Sequence, residues 1–230
     1  MHLSTFAKAS LVLGILTTGV MTTNVQSANA EHTLQAVSQN TSDLKNYYSG
    51  SSFECKGVSL HRDGDKVEFV EHSQLNVVKL LGSDKTRLQS IKDGEKFDVF
   101  VVREGSGKQA DNYSIGGITK KSDSSYRDYL RSPNIDIKKT TGELTMVQSN
   151  NELNIYKEEV SLKELDFKLR KILIDKHDLY KQDPKDSKIK ITMKDGGFYT
   201  FELNKKLQDH RMGDVIDSRN IDRIEVDLKS

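Results

Sequence analysis

Residues 154–180 read NIYKEEVSLKELDFKLRKILIDKHDLY. Ser161 and Glu164 form an S-x-x-E capping box just ahead of an apolar-periodic run. Leu162, Leu165, Leu169, Ile172, Leu173 and Lys176 recur at helical spacing, with only the last polar. Lys163, Asp166, Lys168, Arg170, Lys171 and Asp175 fall largely on the opposite face. The pattern predicts a long helix with an apolar stripe against a core and a charged, solvated face. His177-Asp178 closes it, where a protonated imidazole would suit the negative end of the helix dipole. After DPKDS (183–187) come three strand-like runs: KIKITMK (188–194), GFYTFEL (197–203) and RIEVDL (223–228). A helix laid across a sheet is an α+β arrangement.

Upstream the texture differs. TTGELTMVQSNNEL (140–153) is polar and reads as a linker or as the opening of a second unit. Before it lie FECKGVSL (53–60), VEFVEHS (67–73), LNVVKLLG (75–82), FDVFVVRE (97–104), YSIGGIT (113–119) and IDIKK (135–139). Turn residues separate them, as in HRDGDK (61–66). Short strands at close spacing predict a small barrel or sandwich. GSGKQADN (105–112) and KKSDSSYRD (120–128) read as loops. TSDLKNYYSG (41–50) reads as a short helix capped by Ser42 and ended by Gly50.

The first 30 residues read as a secretory signal peptide: Lys8, an apolar run over Leu11–Leu16, and an A-x-A site at Ala28-Asn29-Ala30. The apolar run is too short for a bilayer span. Cleavage after Ala30 would leave a secreted chain. That leader holds one of the 35 Lys+Arg and none of the 34 Asp+Glu, so the remainder is formally neutral. A neutral chain lacks the field expected of a nucleic-acid binder, and any anion site must be local. Cys55 is the only cysteine, which excludes an intramolecular disulfide. In a strand-like stretch it reads as packing.

Several of these residues carry a resemblance. Lys157, Val160, Leu165-Asp166, Arg170, Leu173 and Leu179-Tyr180 stand at the spacings of the staphylococcal/streptococcal superantigen signature. YSIGGITKKSDS resembles that family's second signature. It keeps Gly116-Gly117-Ile118-Thr119, with Ile115 where Tyr is usual and Ser124 where Asn is usual. NYYSG, LLGSDK, DVFVVRE, SIGGITKK, YKEEVSLKELDFKLR and RMGDVIDSRNI resemble the superantigen-like exoprotein branch. The resemblance implies a mainly β, α+β chain: an OB-fold barrel (31–139), then a β-grasp domain (140–230) with a long helix across its sheet. It also implies an immune-evasion role without superantigen activity. Branch members bind antibodies, complement or leukocyte receptors, and a subset binds sialylated glycans through a block resembling YTFELNKKLQxxRM.

That block lies within KDGGFYTFELNKKLQDHRM (194–212). Strand alternation puts Tyr199, Phe201 and Leu203 on the core face and Thr200 and Glu202 on the other. Asn204-Lys205-Lys206 turns the chain, Leu207 re-enters the core, and a helical turn would bring Gln208 and Arg211 to one side. Arg211 can offer a planar fork to a sialic acid carboxylate. Lys205 adds a point charge. Thr200, Asn204 and Gln208 can exchange hydrogen bonds with hydroxyl and N-acetyl groups. Glu202 can accept from neighbouring neutral sugars, and Phe198 can cover a sugar face. Asp209 and His210 are the block's variable positions.

The expected function is non-enzymatic binding of sialyl-Lewis X-type glycans on host leukocyte glycoproteins, with clustered glycans or a homodimer supplying avidity. The alternative is direct, sugar-independent binding of an immunoglobulin, a complement component or a Toll-like receptor. No nucleic-acid partner, membrane insertion, metal or cofactor is expected. The β-grasp sheet has no H-x-D pair of the kind that binds zinc in some superantigens. No Ser/His/Asp arrangement or nucleotide loop stands out.

Overall fold

The computed structural model describes residues 37–92, 94–105, 111–122 and 128–229. The expected signal peptide, most of the loop at 105–112, and residues 123–127 of the second loop, Ser124 included, lie outside them.

The chain opens with helix α1 (Gln39–Ser49). Its cap is Ser38, one turn before the expected Ser42. The Ser38 hydroxyl accepts from the Thr41 N–H at 3.2 Å, and Gly50 ends the helix as expected. Strands β1 (Ser52–Val58), β2 (His61–Asp63), β3 (Lys66–Glu71) and β4 (Gln74–Lys79) follow. Then come α2 (Ser83–Arg87), β5 (Phe97–Val102), β6 (Asn112–Ile115) and β7 (Ile118–Lys120). The run YSIGGIT is two strands rather than one, because Gly116 and Gly117 both take positive φ and turn the chain. These strands pair in two sheets, β1-β5-β7 and β2-β3-β4-β6.

The second half holds β8 (Asn134–Thr141), β9 (Leu144–Asn150), β10 (Glu159–Ser161), α3 (Leu162–His177), β11 (Lys188–Met193), β12 (Phe198–Glu202), β13 (Val215–Asp217) and β14 (Ile221–Lys229). Five of these form one mixed sheet in the order β12-β11-β14-β8-β9, with β8 parallel to β14. The division expected after Lys139 therefore falls inside β8. Ile135 and Ile137 pack in the core of the second half, and the polar run after them is the edge strand of a hairpin. Leu144, Met146 and Val147 stand exposed on it.

Helix α3 spans the predicted run, and the Ser161 hydroxyl accepts from the Glu164 N–H at 3.1 Å. Its charged face is not solvated as expected. Lys163, Asp166 and Arg170 are all buried. The reason is that α3 is covered twice. The sheet takes one face, while α1 and β5 send Leu44, Tyr48, Phe100 and Val102 into the same core cluster on the other. Two of the buried cations have ionic partners, while Lys163 bonds only the neutral Ser114 hydroxyl and Ile115 carbonyl. Arg170 Nε donates to Asp166 at 2.7 Å, and Lys157 sits between Glu54 of β1 and Glu164 of α3 at 2.7 and 2.6 Å. Beyond Arg170 the helix reverts to the amphipathic pattern, with Lys171, Asp175 and Lys176 exposed.

Candidate functional site

Strand β12 is an edge of the five-stranded sheet, pairing only with β11. Phe201 and the following Leu203 point into the core, whereas Phe198 and Glu202 are exposed and Thr200 half-buried. Alternate residues share one face of a strand and stand about 7 Å apart. Phe198, Thr200 and Glu202 therefore form a row.

After a turn at Leu203–Lys205, Leu207 returns to the core and its N–H donates to the Tyr48 hydroxyl at 3.2 Å. A single 3-10 turn over Asp209–Arg211 then brings Arg211 back against the free edge of β12. Its Nη1 donates to the Thr200 carbonyl and to Gln208 Oε1, both at 3.1 Å. The guanidinium carbon lies 5.8 Å from the Phe201 ring centroid, at the outer range of a cation–π contact. Among the described residues, Arg211 Nε and Nη2, the Thr200 hydroxyl and the Gln208 amide nitrogen make no hydrogen bond. One nitrogen thus anchors the guanidinium while the remaining N–H groups stay available. That is the donor set a carboxylate needs.

The other expected residues divide. Glu202 and Lys205 pair with each other at 2.5 Å on the surface. The Phe198 ring carries the Lys190 ammonium at 5.1 Å from its centroid. Asn204 makes no hydrogen bond to the other six; its carbonyl accepts from Asn40 Nδ2 at 3.0 Å, tying the turn to α1.

Two supports escaped sequence reasoning. Beneath the turn, Arg170 donates to the Glu202 and Leu203 carbonyls at 3.1 and 3.3 Å, and the Tyr180 hydroxyl donates to Leu203 O at 2.9 Å. Both residues stand in the 154–180 run, but nothing in local spacing says that they reach β12. Beside the turn, Lys206 reaches Glu104 of the N-terminal half at 2.6 Å and lies over the Tyr47 ring.

Buried charges nearby have displaced pKa values. Burial pushes the Lys163 ammonium down to about 7, since its direct partners, the Ser114 hydroxyl and the Ile115 carbonyl, are neutral. Burial pushes Asp84 up to about 6, against the pull of Arg87. His177, expected to favour protonation at the helix end, is instead lowered, first by desolvation. No group of three or more His, Cys, Asp and Glu side chains placed to hold a metal occurs among the described residues.

Two family models match this architecture. The staphylococcal superantigen-like OB-fold domain matches residues 42–122, and the staphylococcal/streptococcal toxin β-grasp domain matches residues 133–228. The chain belongs to the staphylococcal superantigen-like family. The start of the β-grasp match places β8 in the second domain, as the strand pairing does. Superantigen-like protein 11 of Staphylococcus aureus is 59% identical over 198 residues, covering 85% of this chain and all of that protein. Staphylococcal superantigen-like 5 of S. aureus strain Newman is 47% identical, with both chains fully covered. Among solved structures, SSL5 complexed with sialyl Lewis X superposes with a TM-score of 0.74 at 47% identity, over 82% of this chain and 99% of that one. The S. aureus superantigen-like protein SET3 matches with a TM-score of 0.74 at 46% identity, over 87% of this chain and all of that one.

Proposed function

We propose that this superantigen-like protein is a secreted, non-enzymatic immune-evasion factor that binds sialylated glycans of the sialyl-Lewis X type on host leukocyte glycoproteins. The observation that carries the reading is the arrangement of Arg211, Gln208 and Thr200 at the exposed edge of β12, with donors left open. The similarity to SSL5, whose complex with sialyl Lewis X is known, supports the same ligand class.

In this reading the sialic acid carboxylate takes the free fork of Arg211. The Thr200 hydroxyl and the Gln208 amide bond the N-acetyl and hydroxyl groups. Glu202 and Lys205 already form an exposed pair and exchange that contact for sugar hydroxyls at little cost, because such pairs are worth roughly 0–1 kcal/mol. Phe198 offers a ring to an apolar sugar face. One such site binds weakly, since it buries little apolar surface and replaces water bonds already well made. Clustered glycans on a cell surface, or a homodimer, supply avidity. The protein acts without bridging class II histocompatibility molecules to T-cell receptors.

The test is leukocyte binding before and after sialidase, with a glycan array run on wild type and Arg211→Ala. Sialidase should abolish cell binding, and the variant should lose the sialylated spots. Leukocyte binding that survives sialidase undiminished would sink this reading.

A further inference from the structure

The segment that carries Arg211 is not held by its own domain alone. The 208–214 stretch runs along the N-terminal domain with backbone almost touching backbone. The Gly117 N–H donates to the Met212 carbonyl at 3.0 Å, while the Gly117 carbonyl accepts from the Phe100 N–H of β5 at 2.9 Å. The Ser83 hydroxyl donates to Asp214 Oδ1 at 2.8 Å. Asp84, fully buried, pairs with Arg87 at 2.5 Å, and Arg87 donates to the Ile118 carbonyl.

Glycines make this approach possible. A Cβ on Gly82 would stand 2.0 Å from the His210 carbonyl oxygen, and one on Gly116 2.5 Å from the Met212 carbonyl carbon. From the other side, a Cβ on Gly213 would stand 2.4 Å from Asp84 Cγ. Gly82 and Gly116 also hold φ near +55°, which favours glycine independently of space. The obstructing atoms at Gly82 and Gly116 are backbone, so no rotamer change relieves the clash. The residues approached, His210, Met212 and Gly213, flank Arg211.

We propose that the OB-fold domain sets the position of Arg211, so that sugar affinity in the β-grasp domain is a property of the seam between the two domains. Gly82, Ser83 and Gly116 are then positioning residues for a site none of them touches. This rests on the glycan reading above. The physical basis is preorganisation: a charged fork that must meet a carboxylate within about 0.5 Å loses affinity when its backbone shifts by about 1 Å. A methyl group at Gly82 forces a shift of that size, since real Cβ contacts closer than 3.0 Å are essentially never seen.

The experiment uses the full-length secreted chain on immobilised sialyl-Lewis X tetrasaccharide, with the Arg211 Nε–Hε resonance read in the sugar-free protein. Gly82→Ala should weaken binding about tenfold and shift that resonance. Val67→Ala, a cavity variant in the OB-fold core cluster that does not include Met212, should lower the melting temperature yet bind within twofold of wild type. Ser83→Ala removes only the hydroxyl bond to Asp214 and should weaken binding two- to threefold; it carries the test if Gly82→Ala does not fold. Unchanged affinity and an unmoved Arg211 resonance in the folded seam variants overturn the inference. So does a loss in Val67→Ala equal to that in Gly82→Ala, because affinity would then follow stability alone. A wild-type protein that ignores the sugar overturns the glycan reading instead, and the Arg211 resonance still reports whether the seam places that side chain.

Discussion

Arg170 and Arg211 serve the carbonyls of one short stretch, Thr200–Leu203, and differ in almost everything else. Arg170 has no exposed surface, bonds Asp166, Tyr180 and two backbone carbonyls, and stacks 4.3 Å from the Tyr48 ring. Arg211 is half-buried and uses one terminal nitrogen. A guanidinium whose donors are consumed internally is a structural part. One that is anchored yet incompletely satisfied at the surface keeps donors open, which is what the proposed glycan reading requires. The first makes the second possible, because Arg170 fixes the end of the strand along which Arg211 lies.

The comparison is broken most severely at Arg170. Arg170→Met should cost about 3–5 kcal/mol of stability, because it leaves the Asp166 charge buried without its ion partner. Urea unfolding measures this, and a loss below about 1 kcal/mol would remove Arg170 from its structural role.

Arg211→Ala should show the opposite profile. Stability should change by less than about 1 kcal/mol, since the side chain is half-exposed and its bonds are few. Sialyl-Lewis X affinity should fall about 100-fold, near 2.7 kcal/mol, measured by surface plasmon resonance. Arg211→Lys should recover part of the loss, remaining about tenfold weak, because the ammonium keeps the charge and lacks the fork.

Lys163 sharpens the contrast from within the helix, as a buried cation with neutral direct partners. Its folded pKa is pushed down to about 7 by burial, whereas the unfolded chain keeps the proton to about 10.4. Across that window the unfolded state binds more protons, so stability rises with pH. Wild type should gain about 3–4 kcal/mol relative to Lys163→Met between pH 7 and pH 10 in urea unfolding. Asp84 acts with the reverse sign. Its folded pKa is raised by burial to about 6, so between roughly pH 4 and 6 the folded state holds the extra proton and stability falls as pH rises. Asp84→Asn should flatten that limb.

The smallest effect belongs to the exposed Glu202–Lys205 pair. Lys205→Ala should shift the melting temperature by no more than about 2 °C and sugar affinity by about threefold, and added salt should shrink the affinity effect.

Much of the candidate site was legible because its parts are neighbours in the chain. Alternation along 198–203 assigned the faces of β12, and the three-residue spacing of Gln208 and Arg211 anticipated their contact through the 3-10 turn. The α3 stripe and its Ser161 cap were legible for the same reason. The fate of the charged α3 face was not. Lys163, Asp166 and Arg170 read as solvated by period alone, and a hydropathy pattern cannot register that α1 and β5 close over them. Nor did IDIKK reveal its sheet, since a strand's pattern does not name its partner across more than 80 residues.

The amino-acid sequence by itself determined helices α1 and α3 and most of the longer strands, which face of α3 and of β12 is apolar, and that Thr200, Gln208 and Arg211 stand within a few turns of chain. All of these follow from side-chain direction and spacing over distances the backbone fixes locally. Only the tertiary structure decided that half of a charged helix is buried and that β8 joins the second sheet. It alone placed backbone at Gly82, Gly116 and Gly117 against the segment bearing Arg211. Those outcomes depend on contacts between residues far apart in the chain, where burial, not spacing, sets the energy.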